Sequence, residues 1–197
     1  MSDRAAVIER KTKETNIKIE LNVDGKGKFE GKTGIPFFEH MLDLFTKHSL
    51  FDLTIQAAGD IEVDYHHTIE DIGICLGKAL KKALGDKVGI NRYGNAYCPM
   101  EETLARTVLD ICDRPFFVYH VPDQTKTKIG EYDCELTEEF LRALAINAGL
   151  TLHIKVEYGN NLHHTHEAIF KSLGMALLKA VSINPRIEGV LSTKGVL

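Results

Sequence analysis

DYHHTIEDIGICLGKAL, residues 64–80, returns as NLHHTHEAIFKSLGMAL at residues 161–177. Displaced by 97 positions, the two stretches share nine of seventeen residues: His66/His163, His67/His164, Thr68/Thr165, Glu70/Glu167, Ile72/Ile169, Leu76/Leu173, Gly77/Gly174, Ala79/Ala176 and Leu80/Leu177. A repeat spaced by about half of a 197-residue chain implies two halves of one fold, about 1–90 and 91–197, and not a solenoid.

Working outward, each half carries the same run of elements. In the first, 16–23 alternates through Ile17, Ile19, Leu21 and Val23 as a half-buried strand, and Asp24-Gly25 turns into a second short strand. Pro36 opens a helix with Phe37, Phe38, Met41, Leu42 and Phe45 near 3.6 spacing. Residues 51–57 form a strand, and the first His-His helix spans 66–84. In the second half, 102–112 and 116–121 are strands, 136–148 is a helix capped at Gly149, 152–156 is a strand, and the second His-His helix spans 163–181. The order is β-β-α-β-α, twice. This is an α+β fold with each sheet covered by helices on one face. No linker rich in Pro, Gly or Ser parts the halves, so 1–197 reads as a single domain.

Composition narrows the class. Hydrophobic residues at 44% and charged residues at 26% are those of a folded globular chain. No apolar run approaches the roughly 18–20 residues of a membrane span, and the first residues lack the apolar stretch of a secretory signal. A formal charge of −4 argues against nucleic acid as a partner. Cys75, Cys98, Cys112 and Cys134 form no CxxC pair and read as buried free thiols of a reducing, cytoplasmic compartment.

The chemistry lies in the histidines. On a helix, neighbours point about 100° apart, whereas residues four apart share a face. His66 therefore pairs with Glu70 and His163 with Glu167, while His67 and His164 point elsewhere. Two mixed pairs and two lone imidazoles make a ligand set for two metal ions. Nitrogen with anionic oxygen and no thiolate suits Mn, Fe, Co or Zn. His166 has no counterpart at Ile69 and reads as a solvated residue or a support for a ligand. These features alone fit a dinuclear hydrolase or a non-catalytic shell holding ions.

Four motifs resolve that choice. Gly34-Ile-Pro-Phe-Phe-Glu-His40-Met-Leu, Asp64-Tyr-His66-His67-Thr-Ile-Glu70-Asp-Ile, Leu162-His163-His164-Thr-His-Glu167-Ala and the tail Ser192-Thr193-Lys194-Gly195-Val196 occur in this order. In them the chain resembles imidazoleglycerol-phosphate dehydratase over nearly its whole length. The resemblance implies a fold of the ribosomal protein S5 domain 2-like type. It also implies a lyase of histidine biosynthesis that dehydrates D-erythro-imidazole glycerol phosphate to imidazole acetol phosphate with two Mn2+ ions per subunit. Those ions would lie between subunits of an octahedral homo-oligomer of 24 chains. One would take His40, His67, His163 and Glu167. The other would take His66, Glu70, His164 and Glu139, the last standing where many family members have histidine.

The same resemblance assigns further roles. Glu14 is the candidate general acid/base, with His67 and Glu167 beside it in the catalytic set. The substrate is expected against Glu14, His40, His66, Glu70 and His163, with His48 also in reach. Its phosphate is expected on Arg92, Arg114, Lys171 and the Ser192-Thr193-Lys194 tail, which follows Asn184-Pro185 as a free end.

Overall fold

A computed structural model of the chain describes residues 4–122 and 127–196. Its first half is β1 (Ala5–Lys11), β2 (Thr15–Asn22), β3 (Phe29–Lys32), α1 (Pro36–Ser49), β4 (Asp52–Gly59) and α2 (His66–Leu84). The second half is β5 (Tyr93–Met100), β6 (Thr103–Ile111), β7 (Phe116–His120), α3 (Leu136–Ala148), β10 (Leu150–Tyr158) and α4 (Leu162–Val181). A small hairpin, β8 (Lys128–Ile129) and β9 (Tyr132–Asp133), precedes α3.

The α+β class and the duplication hold, with one strand more in each four-stranded sheet than the sequence pattern implied, and the β8–β9 hairpin besides. Each half is β-β-β-α-β-α, and the sheets have matching orders, β1-β2-β4-β3 and β5-β6-β10-β7. In both, the first three strands pair antiparallel and the last pairs parallel. The parallel pair needs a crossover, supplied by α1 in the first half and by a segment containing α3 in the second.

The extra strands escaped the pattern for a packing reason. β1 is a sheet edge with Ala6 as its one fully buried side chain. β5 turns Gly94, Ala96 and Cys98 inward because α4 runs close above it. A Cβ added at Gly94 would lie 1.9 Å from the Ala176 carbonyl oxygen, so no larger residue fits.

The buried faces of both sheets are covered by helices, and the helices pair across the halves, α2 on α3 and α1 on α4. The repeated glycines explain this contact. A Cβ at Gly77 would meet the Leu144 carbonyl oxygen of α3 at 2.7 Å, and one at Gly174 would meet that of Phe45 in α1 at 2.6 Å. Phe38, Phe140 and Phe170 fill the space between α1, α3 and α4, with rings of the last two stacked at 5.7 Å. Truncating one such phenylalanine costs about 3–5 kcal/mol. These helix pairings bring His40 on α1 to the histidines of α4.

Candidate metal centre

Both histidine helices begin in the same way, although the residues involved are not identical. Asp64 Oδ1 accepts from the His66 backbone N–H at 2.8 Å, and Asn161 Oδ1 accepts from that of His163 at 2.9 Å. Asp64 and Asn161 are equivalent in the repeat, and each satisfies a donor that a helix start leaves open. The first histidine of each pair then faces the glutamate one turn on. His163 Nε2 is 3.1 Å from Glu167 Oε1, and His66 Nε2 is 3.9 Å from Glu70 Oε2.

Around Glu167 the cluster is closed. His40 Nε2 lies 3.0 Å from Oε1, beside His163, and Lys171 Nζ donates to Oε2 at 2.6 Å. Glu39 shapes the approach to His40, since its Oε1 accepts from the backbone N–H groups of Thr33 and Gly34. Burial alone would raise the Glu167 carboxyl, but Lys171, His40 and His163 outweigh it and hold it down at about 2. The ligand atoms of His40, His163 and Glu167 all lie within 4.8 Å of one another. Two imidazoles and an ionised carboxylate without thiolate are donors for a borderline or hard divalent ion, so the residues fit the metal that the sequence implies.

The second histidine of each pair goes elsewhere. His67 Nδ1 is 3.0 Å from Asp60 Oδ2, and the hydrogen bond to Asp60 raises the His67 pKa. His164 Nδ1 is 2.7 Å from Glu102 Oε2. Glu102 also accepts from the Asn161 backbone N–H at 2.9 Å, and His164 followed by this N–H lowers its carboxyl to about 2. Glu101, Glu102 and His164 form the other group with ligand atoms within 4.8 Å. Asp60 and Glu102 carry no signal in the sequence, being turn carboxylates 7 and 62 positions from their histidines.

Among the described residues, one chain thus brings together three of the first expected ligand set, with His67 outside that group. Of the second set, His66 and Glu70 face each other, His164 is on Glu102, and half-buried Glu139 sits on α3, the helix packed against α2. His166 is a correction: it is fully buried, hydrogen-bonded to the Leu162 carbonyl at 2.8 Å and ringed by Phe37 and Tyr132, so it is a core residue. Burial lowers its pKa.

Glu14 is exposed in the β1–β2 turn, its backbone N–H held by Thr12 Oγ1 at 3.0 Å, and its charge helps to raise the His67 pKa. His48 ends α1 with Nδ1 on the Leu44 carbonyl at 2.8 Å. Arg92 is buried and forked onto Asp110 at 2.6 and 2.9 Å, with a further bond to the Leu191 carbonyl. That bond and Gly89 N–H on the Gly189 carbonyl tie the chain down as far as Leu191, just before the expected tail begins. Ser192 and Thr193 share a surface hollow with Arg92 and Arg186, and exposed Lys194 follows. Arg114 is exposed and makes no ion pair among the described residues.

A sequence profile described as imidazoleglycerol-phosphate dehydratase matches residues 33–177, from just before His40 to the end of the second repeat. The chain belongs to the imidazoleglycerol-phosphate dehydratase family. Its relatives of that name include a protein of Pelobacter propionicus, 55% identical over 194 residues (98% of this chain, 99% of the other). Another, from Clostridium botulinum, is 56% identical over 197 residues, the full length of both. The crystal structure of the dehydratase of Staphylococcus aureus superposes with a TM-score of 0.82 at 42% identity, covering 91% of this chain and 99% of that one. That of Pyrococcus furiosus gives 0.81 at 39% identity, with 96% and 100% covered. Membership of this family makes the chain a lyase of histidine biosynthesis. No helix among the described residues is long and apolar enough to cross a membrane.

Proposed function

We propose that the chain dehydrates D-erythro-imidazole glycerol phosphate to imidazole acetol phosphate with two manganese ions per subunit, in the cytoplasm. The observation that carries this reading is the His40–His163–Glu167 cluster at the start of one of two repeated His-His-x-x-Glu helices. His40, His163 and Glu167 hold one ion, together with a His67. His66, Glu70, His164 and Glu139 hold the other. When bound, such ions supply Lewis acidity to the nitrogens of the substrate ring and make its side chain easier to deprotonate.

The chain's own groups do the rest. Glu14, presented on a turn that Thr12 holds, moves the carbon-bound proton. Arg92, Arg114, Lys171, Lys194 and the hydroxyls of Ser192 and Thr193 bind the phosphate, Arg92 from the hollow it shares with Ser192 and Thr193. Lys171 neutralises Glu167, and Arg92 anchors the base of the tail through Leu191. Because one chain leaves both ligand sets incomplete, the remaining ligands come from neighbouring copies in a homo-oligomer of 24 subunits with octahedral symmetry. Exposed Tyr93, Tyr97, Val108, Phe116 and Tyr158 supply apolar surface for such contacts.

The deciding assay adds Mn2+ to metal-stripped protein with imidazole glycerol phosphate and follows the keto product. Product that depends on Mn2+ is expected. Release of inorganic phosphate instead would mark a hydrolase, and a metal-loaded protein without turnover would mark a storage shell.

A further inference from the structure

We propose that Asp60 and Glu102 are positioning residues, each accepting a hydrogen bond from the Nδ1–H of the second histidine of a His-His pair and so fixing its Nε2 as the metal-facing nitrogen. This rests on the metal reading above. A carboxylate only accepts, so the short contacts from His67 Nδ1 to Asp60 (3.0 Å) and from His164 Nδ1 to Glu102 (2.7 Å) require Nδ1 to carry the proton. A neutral imidazole has one proton, and its lone pair is then on Nε2. Without this restraint a half-exposed ring turns about its Cβ–Cγ bond and exchanges tautomers, and each wrong state must be undone before an ion binds.

Two further observations favour this role over a chance ion pair. His67 and His164 are equivalent in the repeat, but their carboxylates are not. Asp60 directly follows β4, whereas Glu102 lies in the turn between β5 and β6; the position equivalent to Asp60 is Glu157, which pairs with Lys155 and Arg106. Two unrelated parts of the chain thus supply the same group to the same ring atom. Second, Glu102 is itself fixed, because its other oxygen accepts from Asn161 N–H (2.9 Å), Asn160 N–H (3.4 Å) and Thr103 Oγ1 (3.0 Å). Fixing a ligand's orientation through a carboxylate on its other nitrogen is worth about 10- to 100-fold in metal affinity.

The test measures Mn2+ affinity of the full-length protein by competition with a fluorescent chelator. Asp60→Asn and Glu102→Gln should each weaken binding of one ion by about 10- to 100-fold, and the Ala variants should weaken it more. In a His67→Ala background Asp60→Asn should have no further effect, and likewise Glu102→Gln in His164→Ala. A structural role alone lowers the unfolding temperature and leaves Mn2+ affinity unchanged, which would overturn the proposal, as would full additivity with the histidine variants. If Glu102 variants fail to fold, Asp60, which holds no helix start, decides alone. Wild-type protein that binds no Mn2+ would refute the metal reading itself, a different failure.

Discussion

Glu167 on α4 has a side chain one-tenth exposed and sits among His40, His163 and Lys171; Glu70 on α2 is 45% exposed and faces His66 at 3.9 Å. The motif is the same, and the helix starts are capped alike. The surroundings differ because Lys171 answers to Ile74 in the repeat, and because α1 brings His40 to α4 whereas no histidine of α3, the helix packed on α2, meets His66 and Glu70. The two helices share the order of histidines and glutamate, and they differ in counter-charge and burial according to which helix packs alongside. The glutamate of the second half is therefore enclosed by groups from both halves, and that of the first half is left in an open pair.

The largest expected effects test whether that asymmetry matters for turnover. His67→Ala and His163→Ala should each lower kcat/KM by at least about a thousandfold, since each removes a donor to an ion that wants about six. Both should also weaken assembly, visible by sedimentation, if ligands bridge copies. Loss of activity only in His163→Ala would mean that His67 does not complete the set formed by His40, His163 and Glu167. Next in size is the tail, which belongs to the second half alone. With the chain tied down to Leu191, removing 192–197 should spare Mn2+ content and assembly and lower kcat/KM by roughly two orders of magnitude, with Lys194→Ala giving much of that loss. Normal turnover by the truncated protein would assign the phosphate to Arg92, Arg114 and Lys171.

Much of this is legible in the sequence alone. The bounds of α2 and α3 follow from apolar spacing, Pro and Gly signals, and α4 differs by one residue. β1 and β5 did not stand out, because an edge strand needs little burial and a strand under a close helix needs small side chains, and both weaken the alternation that marks a strand. At the site, the i,i+4 pairs were readable because helix geometry is local. Asp60 and Glu102 were not, since only the tertiary fold brings them to His67 and His164. The same holds for Arg92, whose fork onto Asp110, 18 positions away, and whose place in one hollow with Ser192 and Thr193 are set by the tertiary fold.

A smaller effect separates the two glutamates in metal-free protein. Glu167→Gln leaves the Lys171 ammonium, 16% exposed, without its counter-ion, and should cost about 1–3 kcal/mol in urea unfolding at pH 7. Glu70→Gln touches an open pair and should stay within about 0.5 kcal/mol. Equal costs would remove burial as the difference between the halves.

The smallest effect asks whether charge joins the halves away from the histidines. Lys81 lies fifteen residues along α2 from His66, about 22 Å of helix. There Lys81 and the buried Lys87 of the first half reach Asp113 of the second at 3.1 and 2.6 Å. Burial would raise the Asp113 carboxyl, but Lys87 and Lys81 outweigh it and hold it below its ordinary 3.8. A carboxyl lowered by folding stabilises the protein above its unfolded value, and that contribution fades as pH falls through the native one. Wild type and Asp113→Asn should therefore run parallel from pH 7 to about 4, roughly 1 kcal/mol apart, a value between exposed and buried pairs. Below that the gap should close, because Asn does not titrate and the protonated Asp113 no longer attracts either lysine. A gap that stays constant to pH 2 would mean that shape and hydrogen bonding, and not charge, hold this junction. Glu167 would then be the one carboxylate, of the two, whose ionisation ties first half to second, through His40.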